Sequence, residues 1–152
     1  MEVAIINLLI NFNNMQTVVS FEVTDRKVEE LQKLFEKFKS EDAEIAGLLV
    51  YDTESDDILA STYDTRKGKN LVAVRKKYSQ LGAEAVMEGV YPSGRWNWGL
   101  TSVARYTMFA TNLVSNYVMA GEFIESKAPS ACLEDALEFS LMADEILTSA
   151  NA

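Results

Sequence analysis

The 152-residue chain contains no histidine, one cysteine and two prolines. Without histidine there is no Ser-His-Asp triad, no Cys-His dyad and no His-ligated zinc site. A single Cys132 can form neither an intramolecular disulfide nor a four-thiolate metal cluster, which fits a reducing compartment. The one Gly-Lys pair, Gly68-Lys69, is followed by Asn70, so a phosphate loop of the G-x-x-x-x-G-K-[ST] kind is absent. Positive charge is also scarce. Fourteen Lys and Arg stand against 23 Asp and Glu, a net charge of -9, which argues against a nucleic-acid binder because phosphate neutralisation needs a cationic surplus. No apolar run is long enough to span a bilayer, so no transmembrane segment is expected. No cofactor is expected either: catalytic, cofactor-binding and metal residues are all read as none.

What is present is an ordinary globular composition, 48% hydrophobic and 24% charged, with no linker, repeat or low-complexity segment from residue 26 onward. Residues 1–25 read as an extension before a domain at 26–152. In that extension Asn7, Asn11 and Asn14 fall on one helix face, yet Val3 to Phe12 equally suits a buried strand paired with "TVVSFEV". The strand is favoured, and a hairpin with it.

Thr24 and Asp25 supply an N-cap for "RKVEELQKLFEKFKSED", where Val28, Leu31, Leu34, Phe35 and Phe38 recur at helical spacing. Strands follow at Ile45 to Tyr51 and Ile58 to Tyr63. A second helix is predicted from about Asn70 to Met87, on Leu71, Val74, Tyr78, Leu81, Ala85 and Val86. Pro92 and Gly94 then mark a loop. From Arg95 to Ile124 the β-formers Trp, Val, Tyr, Thr and Phe dominate, with turns expected near Arg105 and Ser115-Asn116, giving three antiparallel strands. A last helix starts after Pro129 and Ser130, with a buried stripe of Leu133, Leu137, Leu141 and Ile146 beside Ala136 and Ala143. The expected fold is α+β, a five-stranded antiparallel sheet with helices on its faces.

The stretch "IAGLLVYD…DDILAS" carries a resemblance to the roadblock family, relatives of longin and profilin-like domains. A glycine before a hydrophobic strand, an aspartate at its end, a short turn and a strand ending in Ala-Ser match Gly47, Asp52, Ile58, Leu59, Ala60 and Ser61. The element order extends the likeness over roughly residues 26–150. The turn Glu54-Ser55-Asp56-Asp57 departs from the family's usual glycine, so it must rely on the tolerance of Asp for unusual backbone angles or be longer. Asp52 is expected to cap that turn rather than to act as an acid or base, because catalysis wants a desolvated carboxyl in a cleft.

The resemblance implies a non-enzymatic, cytoplasmic interaction module that binds or regulates a small GTPase, or scaffolds a motor or membrane complex. It also implies a homodimer, or a heterodimer with a related domain, paired through the strand after the second helix. That strand is expected within Gly99 to Phe109, whose sole charge is Arg105, with Val103, Arg105 and Thr107 at the seam. "TRKGKNLVAVRKK" holds six of the fourteen basic residues and no acidic one, and Arg75, Lys76 and Lys77 are read as its partner-binding triplet. Trp96 and Trp98, two apart on a strand, read as core or interface packing before they read as a ligand platform. Cys132 reads as a small buried residue. Two alternatives remain open: a small-molecule sensor with Tyr63, Trp96 or Tyr106 lining a pocket, and a longin-like trafficking adaptor.

Overall fold

The computed structural model describes residues 22–81, 87–90, 96–103 and 105–150. Residues 1–21, and with them the hairpin expected there, lie outside the described part. For 74–81, 87–90, 96–97 and 102–103 only the backbone is described.

Among the described residues three helices and six strands follow in the order α1 (Asp25–Glu41), β1 (Ile45–Asp52), β2 (Ile58–Ser61), α2 (Thr65–Leu81), β3 (Met87–Val90), β4 (Trp96–Val103), β5 (Tyr106–Asn112), β6 (Tyr117–Ile124) and α3 (Pro129–Leu147). The strands form one antiparallel sheet in the order β2-β1-β6-β5-β4-β3. The five expected strands are all present, and the short β3 adds a sixth where a helix end and a loop were predicted.

Alternation along the strands sorts their side chains into two cores. Leu48, Val50, Phe109, Met119 and Phe123 meet Leu31, Phe35 and Phe38 of α1 and Cys132, Ala136, Phe139, Ala143 and Leu147 of α3. On the opposite face Leu49, Tyr51, Met108, Ala110, Val118 and Ala120 meet Leu71 and Val72 of α2. The central β1 is buried along nearly its whole length because helices cover both faces, which is why its apolar run lacks clean alternation.

Each helix end has a local cause. Thr24 Oγ1 accepts from the Lys27 N–H at 3.3 Å and starts α1. Asp64 does the same for α2, its carboxylate accepting from the Lys67 N–H at 2.8 Å. α2 therefore begins five residues before the predicted Asn70. On α3 the buried stripe is Cys132, Ala136, Phe139, Ser140, Ala143 and Leu147, not the expected leucines. Small residues let this helix lie close to the sheet, while Leu133 packs at its flank, Leu137 is half-buried and Leu141 is 64% exposed.

Two buried lysines tie the helices together. Lys27, 2% exposed, donates from Nζ to the Glu22 and Leu147 carbonyls, both at 2.8 Å, and so holds the C-terminal end of α3. Lys127, 8% exposed, sits among Asp42, Glu44 and Asp135 at 3.3, 3.5 and 2.7 Å, joining the ends of α1, β1 and α3. Asp135 makes the shortest of these three contacts from α3.

Candidate partner-binding face

The β1–β2 turn contains the four acidic residues of the hairpin. Asp52 Oδ1 accepts from the N–H groups of Glu54 at 2.8 Å and Ser55 at 3.4 Å, and from the Asn116 side-chain amide. Thr53 donates from both its N–H and its hydroxyl to the Asn116 carbonyl, at 2.9 and 2.8 Å, so the two hairpin tips at this end of the sheet are joined. Asp56 takes φ 65°, the left-handed conformation that Asp tolerates and that replaces the missing glycine. Asp52 caps the turn, as expected, and Asp56 and Asp57 are exposed.

On the α2 face, Gly47 opposes Glu122 across β1 and β6. A Cβ at Gly47 would overlap the Tyr63 ring, so the glycine exists to let that ring lie flat on the strand. There the Tyr63 hydroxyl donates to Glu122 Oε1 at 2.9 Å, and burial beside the carboxylate drives the phenol pKa far up. Lys67 Nζ lies 5.5 Å from the centres of both the Tyr63 and Tyr106 rings. Tyr63 thus packs on Gly47 and bonds to Glu122, and it also lines the groove beside β2.

Arg66, Lys67 and Lys69 are exposed on the first turns of α2, which hold no acidic residue beyond the capping Asp64. Cations at the positive end of a helix cost stability. Here exposed charge is set against the local helix dipole. Arg75, Lys76 and Lys77 continue the same helix, and their side chains lie outside the described part.

The residues expected at the dimer seam do not lie on an edge of the sheet. Thr107 is buried inside the sheet, paired with Ser102 on one side and Phe123 on the other. Arg105 is exposed in the β4–β5 turn, where its carbonyl accepts from the Glu125 N–H at 3.0 Å, and Val103 pairs with Tyr106. The strand that follows the second helix is β3, at the sheet edge, so the premise of a free edge within Gly99 to Phe109 is corrected. Trp98 packs against the α1/α3 core, and the Trp96 side chain lies outside the described part. Cys132 is fully buried, its Sγ 3.8 Å from the Lys127 carbonyl, and burial raises its thiol pKa. Among the described residues no cluster of three metal-ligating side chains occurs, and no helix is long and apolar enough to cross a membrane.

No protein-family model matches the chain, and no curated protein does. Solved structures do resemble it. A structure of MglB with tetrameric arrangement superposes with a TM-score of 0.58 at 12% identity, over 86% of this chain and 97% of that one. Myxococcus xanthus MglB gives 0.57 at 11% identity, over 80% and 97%. The gliding protein MglB from Thermus thermophilus gives 0.55 at 14% identity, over 88% and 100%. At such identities the likeness is one of fold: an α+β, roadblock/longin-like architecture.

Proposed function

We propose that this chain is a non-enzymatic regulator of a small GTPase in the cytoplasm, acting as a dimer and meeting its partner through the face built by α2. The carrying observation is the run of exposed cations, Arg66, Lys67 and Lys69, at the helix end where they are least favourable, on a chain of net charge -9. The roadblock-like fold supports the class of partner, and Arg75, Lys76 and Lys77 extend the same basic run along α2. Such a surface steers an acidic partner at a distance and contributes mainly to the on-rate. Regulation would come from positioning the partner's own groups, since no residue here is assigned a chemical step. Scaffolding of a motor or membrane-associated complex is the same reading with a different partner.

The test uses small GTPases from the source cell, loaded with GTP or GDP. The expected result is binding that prefers one nucleotide state, with a changed rate of GTP hydrolysis. Reversing Arg75, Lys76 and Lys77 to Glu should slow association at least tenfold at low salt and leave the far-UV spectrum unchanged. Nucleotide turnover by the purified protein alone would overturn the reading. An unchanged association rate in the triple variant would remove the α2 face from it.

A further inference from the structure

β2 closes the sheet on the side opposite β3. Its outer edge opens into a groove of about 390 Å³ between α1 and the start of α2, lined among others by Gln32, Asp56, Asp57, Leu59, Ser61 and Asp64. Gln32 reaches into this groove from α1. Its side-chain amide donates from Nε2 to the Ser61 carbonyl at 2.7 Å and accepts from the Ser61 N–H at 2.9 Å. One residue of an antiparallel strand makes this same pair of bonds with the residue opposite it. The edge therefore already holds an amide in the place of a strand partner, supplied by a side chain with rotatable χ angles.

The surroundings give that amide somewhere to go. Gln32 Nε2 also lies 2.9 Å from Oε2 of the exposed Glu36, an acceptor that remains when Ser61 is given up. They also select by charge. Asp56 and Asp57 stand before β2 and Asp64 after it, against one lining cation, Lys69. Side chains on one face of a strand recur about every 6.5–7 Å, so an added strand with alternating cations would present them along this acidic edge.

We propose that the β2 edge accepts an extended, Lys- or Arg-bearing peptide segment by strand addition, with Gln32 as its built-in competitor. Main-chain bonds to β2 supply the affinity, and Asp56, Asp57 and Asp64 supply the preference for positive charge. The site shares Lys69 with the α2 face, but it rests on β2, Gln32 and the three carboxylates, and its test reads those residues alone.

The experiment titrates the full chain with a blocked hexapeptide alternating valine and lysine. Controls are the same peptide with glutamate for lysine, and one with proline for valine. Amide resonances of Leu59 to Ser61 and the Gln32 side-chain NH₂ report the site. The lysine peptide should shift all of them, and the control peptides should bind at least tenfold more weakly. Gln32→Ala should tighten binding at least threefold by removing the competitor. The pair Asp56→Asn and Asp57→Asn should weaken it at least fivefold. If Gln32→Ala does not fold, Gln32→Glu replaces it, since a carboxylate keeps the acceptor for the Ser61 N–H and loses the donor to its carbonyl. No shift at Leu59 to Ser61 up to millimolar lysine peptide would overturn the proposal, as would equal binding of the controls. Self-association of Gln32→Ala through β2 would also overturn it, because the edge would then belong to a second copy.

Discussion

Asp144 shows how one carboxylate can oppose the fold that holds it. It lies in the last turns of α3, with Oδ1 accepting from the Val114 N–H at 2.9 Å. Burial raises its pKa to about 6, and the Val114 N–H pulls the other way without prevailing. A folded-state pKa above the unfolded one, about 3.9, means that folding favours the protonated form. The stabilisation from that proton is complete below about pH 4 and is lost as pH rises through about 6. On this residue's account the protein is less stable at pH 7 than at pH 5. Asp144→Asn keeps an acceptor for Val114 and removes the charge. It should be more stable than the parent by about 1–2 kcal/mol at pH 7, a figure discounted for partial exposure. The gain should shrink toward zero near pH 4. Denaturant unfolding of both proteins across that range measures it, and a constant difference would show that the charge is not the cause.

Between elements, the joint of β1, β6 and the segment leading to α2 depends on what Gly47 lacks. Gly47→Ala would push the Tyr63 ring off the strand and break its bond to Glu122, at a cost of about 2–4 kcal/mol. In a Tyr63→Leu background the same change should cost at least 1 kcal/mol less, the coupling expected of groups in contact. Additive losses would mean that the overlap is relieved elsewhere. This glycine was legible in the sequence as part of "IAGLLVYD", although its reason was not, since Tyr63 is sixteen residues away. Elements with a strong period were legible too: α1, β1, and the run from Trp96 to Ile124 with both of its turns. β3 was not, because four residues, "MEGV", cannot display alternation and the helical spacing of Ala85 and Val86 ran on into them. The start of α2 was hidden by its own basic run, which reads as a loop until Asp64 is recognised as the cap. The α3 stripe was assigned to leucines because hydrophobicity outranks size in a sequence, whereas close packing on a sheet favours Ala136, Ala143 and Cys132. Lys27 and Lys127 were invisible as buried groups, since their partners are main-chain carbonyls and acids distant in the chain.

At the scale of the whole molecule the two edges of the sheet differ. β2 has its outer edge met by Gln32, while β3 has no strand beyond it among the described residues. Two copies joined antiparallel through β3 would make a continuous sheet of twelve strands, two sets of six, with both α2 helices on one side. The proposed dimer would then have its seam at Met87–Val90 instead of at Val103 and Thr107. Charge then sets two opposite salt dependences. Each protomer carries -9, so the copies repel overall, and dimerisation through an edge should strengthen as salt screens that repulsion. Binding of an acidic partner to the cations of α2 should weaken over the same range. Light scattering at tens of micromolar should therefore show twice the monomer mass, more fully at 0.5 M than at 0.05 M salt. Val90→Lys puts a charge on the pairing strand and should return the chain to a monomer with its far-UV spectrum intact. A protein that stays monomeric in high salt at that concentration has no such seam. If Val90→Lys abolishes the dimer and also slows capture of the GTPase, the partner reads the paired α2 helices; if capture is unchanged, one helix suffices.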